Sequence, residues 1–147
     1  MMDIGRKRLP HDGRPLVPGD PEGEVYFITI CCVPRGVNQL ATPEAWEILR
    51  GTIDHREHTG DLKCRLALAM PDHFHALMGF PGEKAMKVVV TAFKSWVAAK
   101  AKVKWQRDFF DHRIRSWESA TEKSKYIRMN PVRAGLAEQP EDWPFQR

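Results

Sequence analysis

Apolar positions along the chain recur with two different periods, and the switches between them divide it into elements. Residues 24–33, EVYFITICCV, are rich in β-branched and aromatic side chains and predict a first strand. After Thr42-Pro43-Glu44 the period changes: Trp46, Leu49 and Ile53 form one stripe of a helix. Thr42 suits its N-cap, Pro43 its first position, Glu44 the positive end of its dipole and Gly60 its end. Residues 66–80, LALAMPDHFHALMGF, are an apolar run broken by one small polar cluster, read as an interior strand. Pro81-Gly82 makes a turn. Over 83–100, Met86, Val89, Val90, Phe93, Trp96 and Val97 predict an amphipathic helix whose other face bears Lys84, Lys87 and Lys94. Alternation returns at 105–115, a further strand, and 117–130 reads as a third helix closed by Pro131. Trp143 and Phe145 pin the remaining tail.

The resulting order, β-α-β-β-α-β-α with the second central strand left without bounds, suggests an α+β sandwich: an antiparallel sheet with helices packed mainly on one face, plus a C-terminal helix that carries Tyr126. Residues 1–23 carry four Pro and four Gly, an extended arm preceding a single domain over 24–147. Arg6, Lys7 and Arg8 make that arm basic, suited to reaching along a phosphate backbone or into a groove.

Composition narrows the class. At 147 residues, 42% apolar and 29% charged, the chain is long enough for one real core. No run approaches the roughly 20 apolar residues of a membrane span, and the first ten residues turn charged at once, unlike a signal peptide. Cys31, Cys32 and Cys64 make neither a disulfide framework nor a metal knuckle. A cytoplasmic protein with reduced thiols is the expectation. Net charge is only +4, yet Lys84 to Arg133 holds thirteen Lys/Arg against four Asp/Glu, leaving the rest net acidic. That asymmetry favours a polyanionic partner such as nucleic acid.

Candidate chemistry gathers at two places. In a strand, side chains two apart share a face, so His73 and His75 converge while Phe74 turns to the core. Such a pair can ligate a metal. Tyr126 and Asn130, four apart, share a helix face. Of the two tyrosines, Tyr26 lies among apolar strand neighbours and reads as core, whereas Tyr126 stands in an electropositive setting with Lys123, Lys125 and Arg128. His55 and His58 fall on the last turn of their helix and read as surface, and His112 as a sheet histidine. A closed zinc site needs further strong ligands, which His112 or Cys64 would supply only if folding brought them near.

MPDHFHALMGF, WQRDFFDHRIR and YIRMNPVRAGL followed by EDWPF, in that order, resemble the single-tyrosine HUH transposases, and more narrowly their REP-associated branch. The resemblance runs from about Val25 to the C-terminal end. It implies a ferredoxin-like α+β core, a Mg²⁺ or Mn²⁺ ion, and cleavage and rejoining of single-stranded DNA beside a hairpin. His73 and His75 would be metal ligands, and Tyr126 the nucleophile on the C-terminal helix. Asn130 stands where insertion-sequence relatives have a metal-binding glutamine, and Asp72 where many have asparagine. Arg6, Lys7, Arg8, Lys84, Lys87, Lys94, Arg113, Arg115, Lys125 and Arg128 would hold DNA, with Trp105 and Phe109 stacking unpaired bases. The expected partner is hairpin-bearing single-stranded DNA at the nucleoid, the protein acting as monomer or homodimer. A hairpin-binding protein with little or no cleavage is the alternative, and a small zinc hydrolase a third reading.

The chemistry is coherent on physical grounds. A phenol with a pKa near 10 is a weak nucleophile, and a phosphodiester repels phenolate. A divalent cation on the non-bridging oxygens relieves the repulsion, and two imidazoles plus one amide leave room for water, which suits Mg²⁺ or Mn²⁺. A 5′-phosphotyrosine retains the bond energy, so rejoining needs no nucleotide, in keeping with the lack of a P-loop pattern.

Overall fold

The computed structural model describes residues 24–147; the basic cluster at Arg6 to Arg8 lies outside them. Strand β1 (Val25–Cys31) leads to helix α1 (Pro43–His58), then β2 (Lys63–Ala69), β3 (His73–Gly79), α2 (Met86–Ala101), β4 (Phe110–Arg113) and α3 (Trp117–Arg133). The strands form one sheet in the order β2-β3-β1-β4 with every pairing antiparallel. This is the expected ferredoxin-like α+β arrangement. No helix among the described residues is long and apolar enough to cross a membrane.

Local signals fix several elements. Thr42 Oγ1 accepts from the Ala45 amide at 3.1 Å and starts α1. Gly60, at φ +85°, ends it: its amide bonds the Glu57 carbonyl, and the Asp61 amide reaches back to Arg56.

Helices cover both faces of the sheet. Tyr26, Ile28 and Ile30 of β1 point into one core layer with Trp46, Leu49 and Ile53 of α1 and Val89, Phe93 and Val97 of α2. Phe27 points the other way, into a layer with Leu68, Leu77, Ile114, Ile127 of α3 and Trp143. Strands buried on both faces lose the polar alternation that marks half-buried ones. The run 66–80 is accordingly not one strand but the end of β2, a tight turn and β3. Met70, Pro71 and Asp72 make the break, closed by the Met70 amide on the His73 carbonyl at 2.8 Å.

Three further expectations need correcting. Only Phe110–Arg113 of 105–115 is strand, residues 105–109 forming a loop held to β1 by a bridge between Cys32 and Trp105. Trp96 is 51% exposed rather than part of the buried stripe of α2. Helix α3 runs through Pro131 to Arg133. One turn beyond the proline, Gly135 at φ +75° ends it, with the Gly135 amide on Val132 and the Leu136 amide on Pro131. The tail then returns beside β2: Ala67 and Arg147 exchange two backbone bonds, the Ala69 amide donates to the Phe145 carbonyl, and the Trp143 indole donates to the Ala69 carbonyl at 2.9 Å.

Candidate active site

Register along β1 and β3 builds the site. Cys31 lies opposite His73 and Thr29 opposite His75, so all four face α3. Phe74 points away and is fully buried, 5.7 Å from Phe93 between ring centroids. The two imidazoles stand 4.8 Å apart at 78°.

Each imidazole has its Nδ1 engaged. His73 Nδ1 is 2.8 Å from Asp72 Oδ1. A carboxylate only accepts, so this bond places the proton on Nδ1 and leaves a lone pair on Nε2. Asp72 is itself gripped by Arg35 at 2.9 Å and by the Gly36 amide at 2.8 Å. Burial pushes the Asp72 carboxyl up, but bonds from Arg35, His73 and Gly36 outweigh it and hold the group well below the usual carboxylate range. His75 Nδ1 lies 2.8 Å from Thr29 Oγ1. Burial, reinforced by His73 and Arg133, lowers the His75 pKa to about 3. Burial lowers that of His73 too, against the pull of Asp72. Both rings are therefore neutral at neutral pH, the form that ligates metals.

Helix α3 delivers the remaining groups. Pro131 and Ile127 are its buried residues and seat it on the sheet. Tyr126 is 50% exposed, with its ring centroid 6.2 Å from those of both His75 and Phe27. Asn130, one turn on, places Nδ2 3.5 Å from His73 Nε2. A half-turn of that amide would present its oxygen instead. Arg133, absent from the sequence-based set, sits 4.3 Å above the Tyr126 ring and donates to the Tyr126 carbonyl at 2.7 Å. Its spacing of seven, two helical turns, was the signal for it. Lys123 lies 5.7 Å over Phe27.

The donor set fits a hard or borderline cation: two neutral Nε2 atoms with their opposite nitrogens held, and one amide beside them. Among the described residues no group of three or more His, Cys, Asp or Glu side chains surrounds a common point. His112 shares the histidine face but lies on β4, with β1 between it and β3. Cys64 is buried in the layer on the opposite face.

The residues expected to hold DNA divide. Lys125 and Arg128 share α3 with Tyr126, Arg128 bonding Gln146 at 2.6 Å, and exposed Arg115 just precedes that helix. Arg113 turns to the other face and pairs with Glu24 at 3.2 Å. Lys84, paired with Asp61 at 3.5 Å, and Lys87 and Lys94 belong to α2 and its entry, across the sheet from Tyr126.

No protein-family model matches the chain. The REP-associated tyrosine transposase of Escherichia coli K12 is 27% identical over 127 residues, spanning 84% of this chain and 76% of that protein. A Haemophilus influenzae Rd protein proposed to be another is also 27% identical, over 143 residues, spanning 84% and 79%. Among solved structures, that of a REP-associated tyrosine transposase bound to a REP hairpin superposes with a TM-score of 0.75 at 24% identity, covering 84% of this chain and 76% of that one. In sequence this chain is similar to the REP-associated tyrosine transposases, and its fold is that of the one solved in complex with a REP hairpin.

Proposed function

We propose that the protein nicks and rejoins hairpin-bearing single-stranded DNA through Tyr126, in a metal-dependent transesterification. The observation that carries this reading is the approach of the Tyr126 ring to His75 within a single chain, 6.2 Å between centroids. The solved relative bound to a REP hairpin supports the substrate class.

In the forward step the Tyr126 oxygen bonds to the scissile phosphorus and the bond to the 3′-oxygen breaks. The products are a 5′-phosphotyrosine and, once that oxygen takes up a proton, a 3′-hydroxyl. The half-exposed phenol can release its own proton to water. Reversal by another 3′-hydroxyl rejoins the strand. His73 and His75 through Nε2, with the Asn130 amide oxygen, would hold Mg²⁺ or Mn²⁺, which when bound supplies charge stabilisation at the non-bridging phosphate oxygens. Asp72 and Thr29 keep the imidazoles oriented, and Lys125, Arg128 and Arg133 present positive charge along the helix that meets the strand.

The test is incubation of a hairpin-bearing single strand with Mn²⁺, followed by a denaturing gel. A covalent protein–DNA band is expected, absent with Tyr126→Phe and with chelator. Tight hairpin binding with no such band in the wild type would establish the binding-only alternative instead.

A further inference from the structure

On the far side of the sheet from Tyr126, α2 and the loop 105–109 enclose a groove of about 340 Å³. Its charge is one-sided. From Lys84 to Arg107 the chain has seven Lys/Arg and no Asp or Glu. Lys87 and Arg107 line the groove, both exposed, and neither enters an ion pair among the described residues. Asp108 is the one acid in the lining. Half-buried Trp105 and Phe109 supply aromatic surface, and exposed Thr91 and Ser95 supply hydroxyls.

The wall is built in advance. Lys94 Nζ reaches the carbonyls of Gln106, Arg107 and Asp108 at 2.8, 3.0 and 3.4 Å, folding the loop around one ammonium. The Trp105 indole donates to the Lys94 carbonyl at 3.0 Å, fixing the ring, and the Gln106 amide bonds the Cys31 carbonyl at 2.8 Å. Cys31 is the register partner of His73, so the groove opens at the same end of the sheet as the histidine pair, on the opposite face. Cations that outnumber the single acid of the lining, together with fixed aromatic rings, suit a strand whose bases are unpaired. An acidic protein surface would use the cations and leave the aromatic wall without a role.

We propose that this groove is a second subsite for single-stranded DNA, taking an unpaired nucleotide of a strand that passes over the end of β1. It rests on the reading above only in naming DNA as the ligand. Its base stacks on Phe109 and Trp105, and its phosphates meet Lys87 and Arg107. The subsite sets which flanking bases are accepted and performs no chemistry.

The experiment is fluorescence anisotropy with a labelled oligothymidylate of about 15 nucleotides, long enough for more than one contact region. It is run in chelator, so that binding is read without cleavage, over a series of salt concentrations. Phe109→Ala is expected to weaken binding about tenfold, equal to roughly 1.4 kcal/mol. The double variant Lys87→Gln/Arg107→Gln, altering only exposed side chains, should shrink the log–log salt slope by about 1.4. Unchanged affinity and slope in the double variant would overturn the subsite, and so would equal binding of a blunt duplex. Neither result bears on the covalent band. Conversely, loss of binding in these variants with no covalent band in the wild type would keep the subsite and remove the transesterase.

Discussion

Arg133 lies over Tyr126 with its guanidinium carbon 4.3 Å from the ring centroid, and one of its nitrogens donates to the Tyr126 carbonyl. The two residues stand two helical turns apart on α3. One cation thus covers a face of the ring whose edge meets Phe27 and His75. The phenol is held between a charged lid and the sheet, and that lid is exposed enough to meet a phosphate as well.

Arg133→Ala should therefore slow formation of the covalent DNA adduct roughly fivefold, the order of an exposed cation–π contact. Arg133→Lys should recover part of the loss, because it restores charge without the planar fork. Single-turnover gels with Mn²⁺ measure both. An adduct rate in the alanine variant equal to wild type would show the contact to be incidental.

The imidazoles are oriented from behind. Thr29→Val keeps the shape of the side chain and removes the hydroxyl that meets His75 Nδ1 at 2.8 Å. Loss of such a partner weakens metal binding about tenfold. Titration calorimetry with Mn²⁺ should show this drop with little change in melting temperature. Asp72→Ala, which also frees Arg35 and the Gly36 amide, should cost both metal affinity and stability.

What could be read in advance follows from how local each signal is. Helix α1 was legible because Thr42, Pro43 and Gly60 mark its ends by short-range chemistry. The pairing of His73 with His75 and of Tyr126 with Asn130 needed only the two periodicities. Two consecutive central strands were expected, but the bounds of the β2–β3 hairpin were hidden because helices on both faces erase alternation, leaving Pro71-Asp72 as the break in the run 66–80. Pro131 misled because its cost, a lost N–H bond and crowding of the turn before it, does not end α3, which runs on to Arg133 before Gly135 stops it. Thr29 and Arg35 escaped notice because they meet His75 and Asp72 across 46 and 37 residues, a matter of strand register. Lys94 reads as an outward cation from helical spacing, and only the return of the loop at 106–108 turns it inward.

The tail beyond α3 is structural. Trp143 is 8% exposed, and its indole bonds the Ala69 carbonyl at the edge of β2. Gln146 links that tail to Arg128 of α3. Trp143→Ala should destabilise the protein by about 3 kcal/mol, through the cavity and the orphaned carbonyl. Denaturant unfolding reads it directly. Gln146→Ala should cost far less stability, yet lower adduct formation if the tail holds the tyrosine helix in place.

Acid should destabilise the metal-free protein through the histidine pair. His75 in the folded chain titrates at about 3, against 6.5 for its ordinary value, and His73 is lowered as well. Between those values the unfolded chain binds a proton that the folded chain refuses, so stability rises with pH across that window and is lost as pH falls below about 6.5. For one such site the slope approaches about 1.4 kcal/mol per pH unit. The Asp72 carboxyl, lowered in the folded state, adds a loss only further down, below about 3.9, where the unfolded carboxyl gains its proton. Urea unfolding in chelator from pH 7 to pH 4 should therefore show a steady fall in stability for the wild type. His75→Gln, which cannot titrate, should flatten that fall by the share that His75 contributes. Parallel curves for the two proteins would mean that the imidazole takes its proton in the folded state, against the burial that surrounds it.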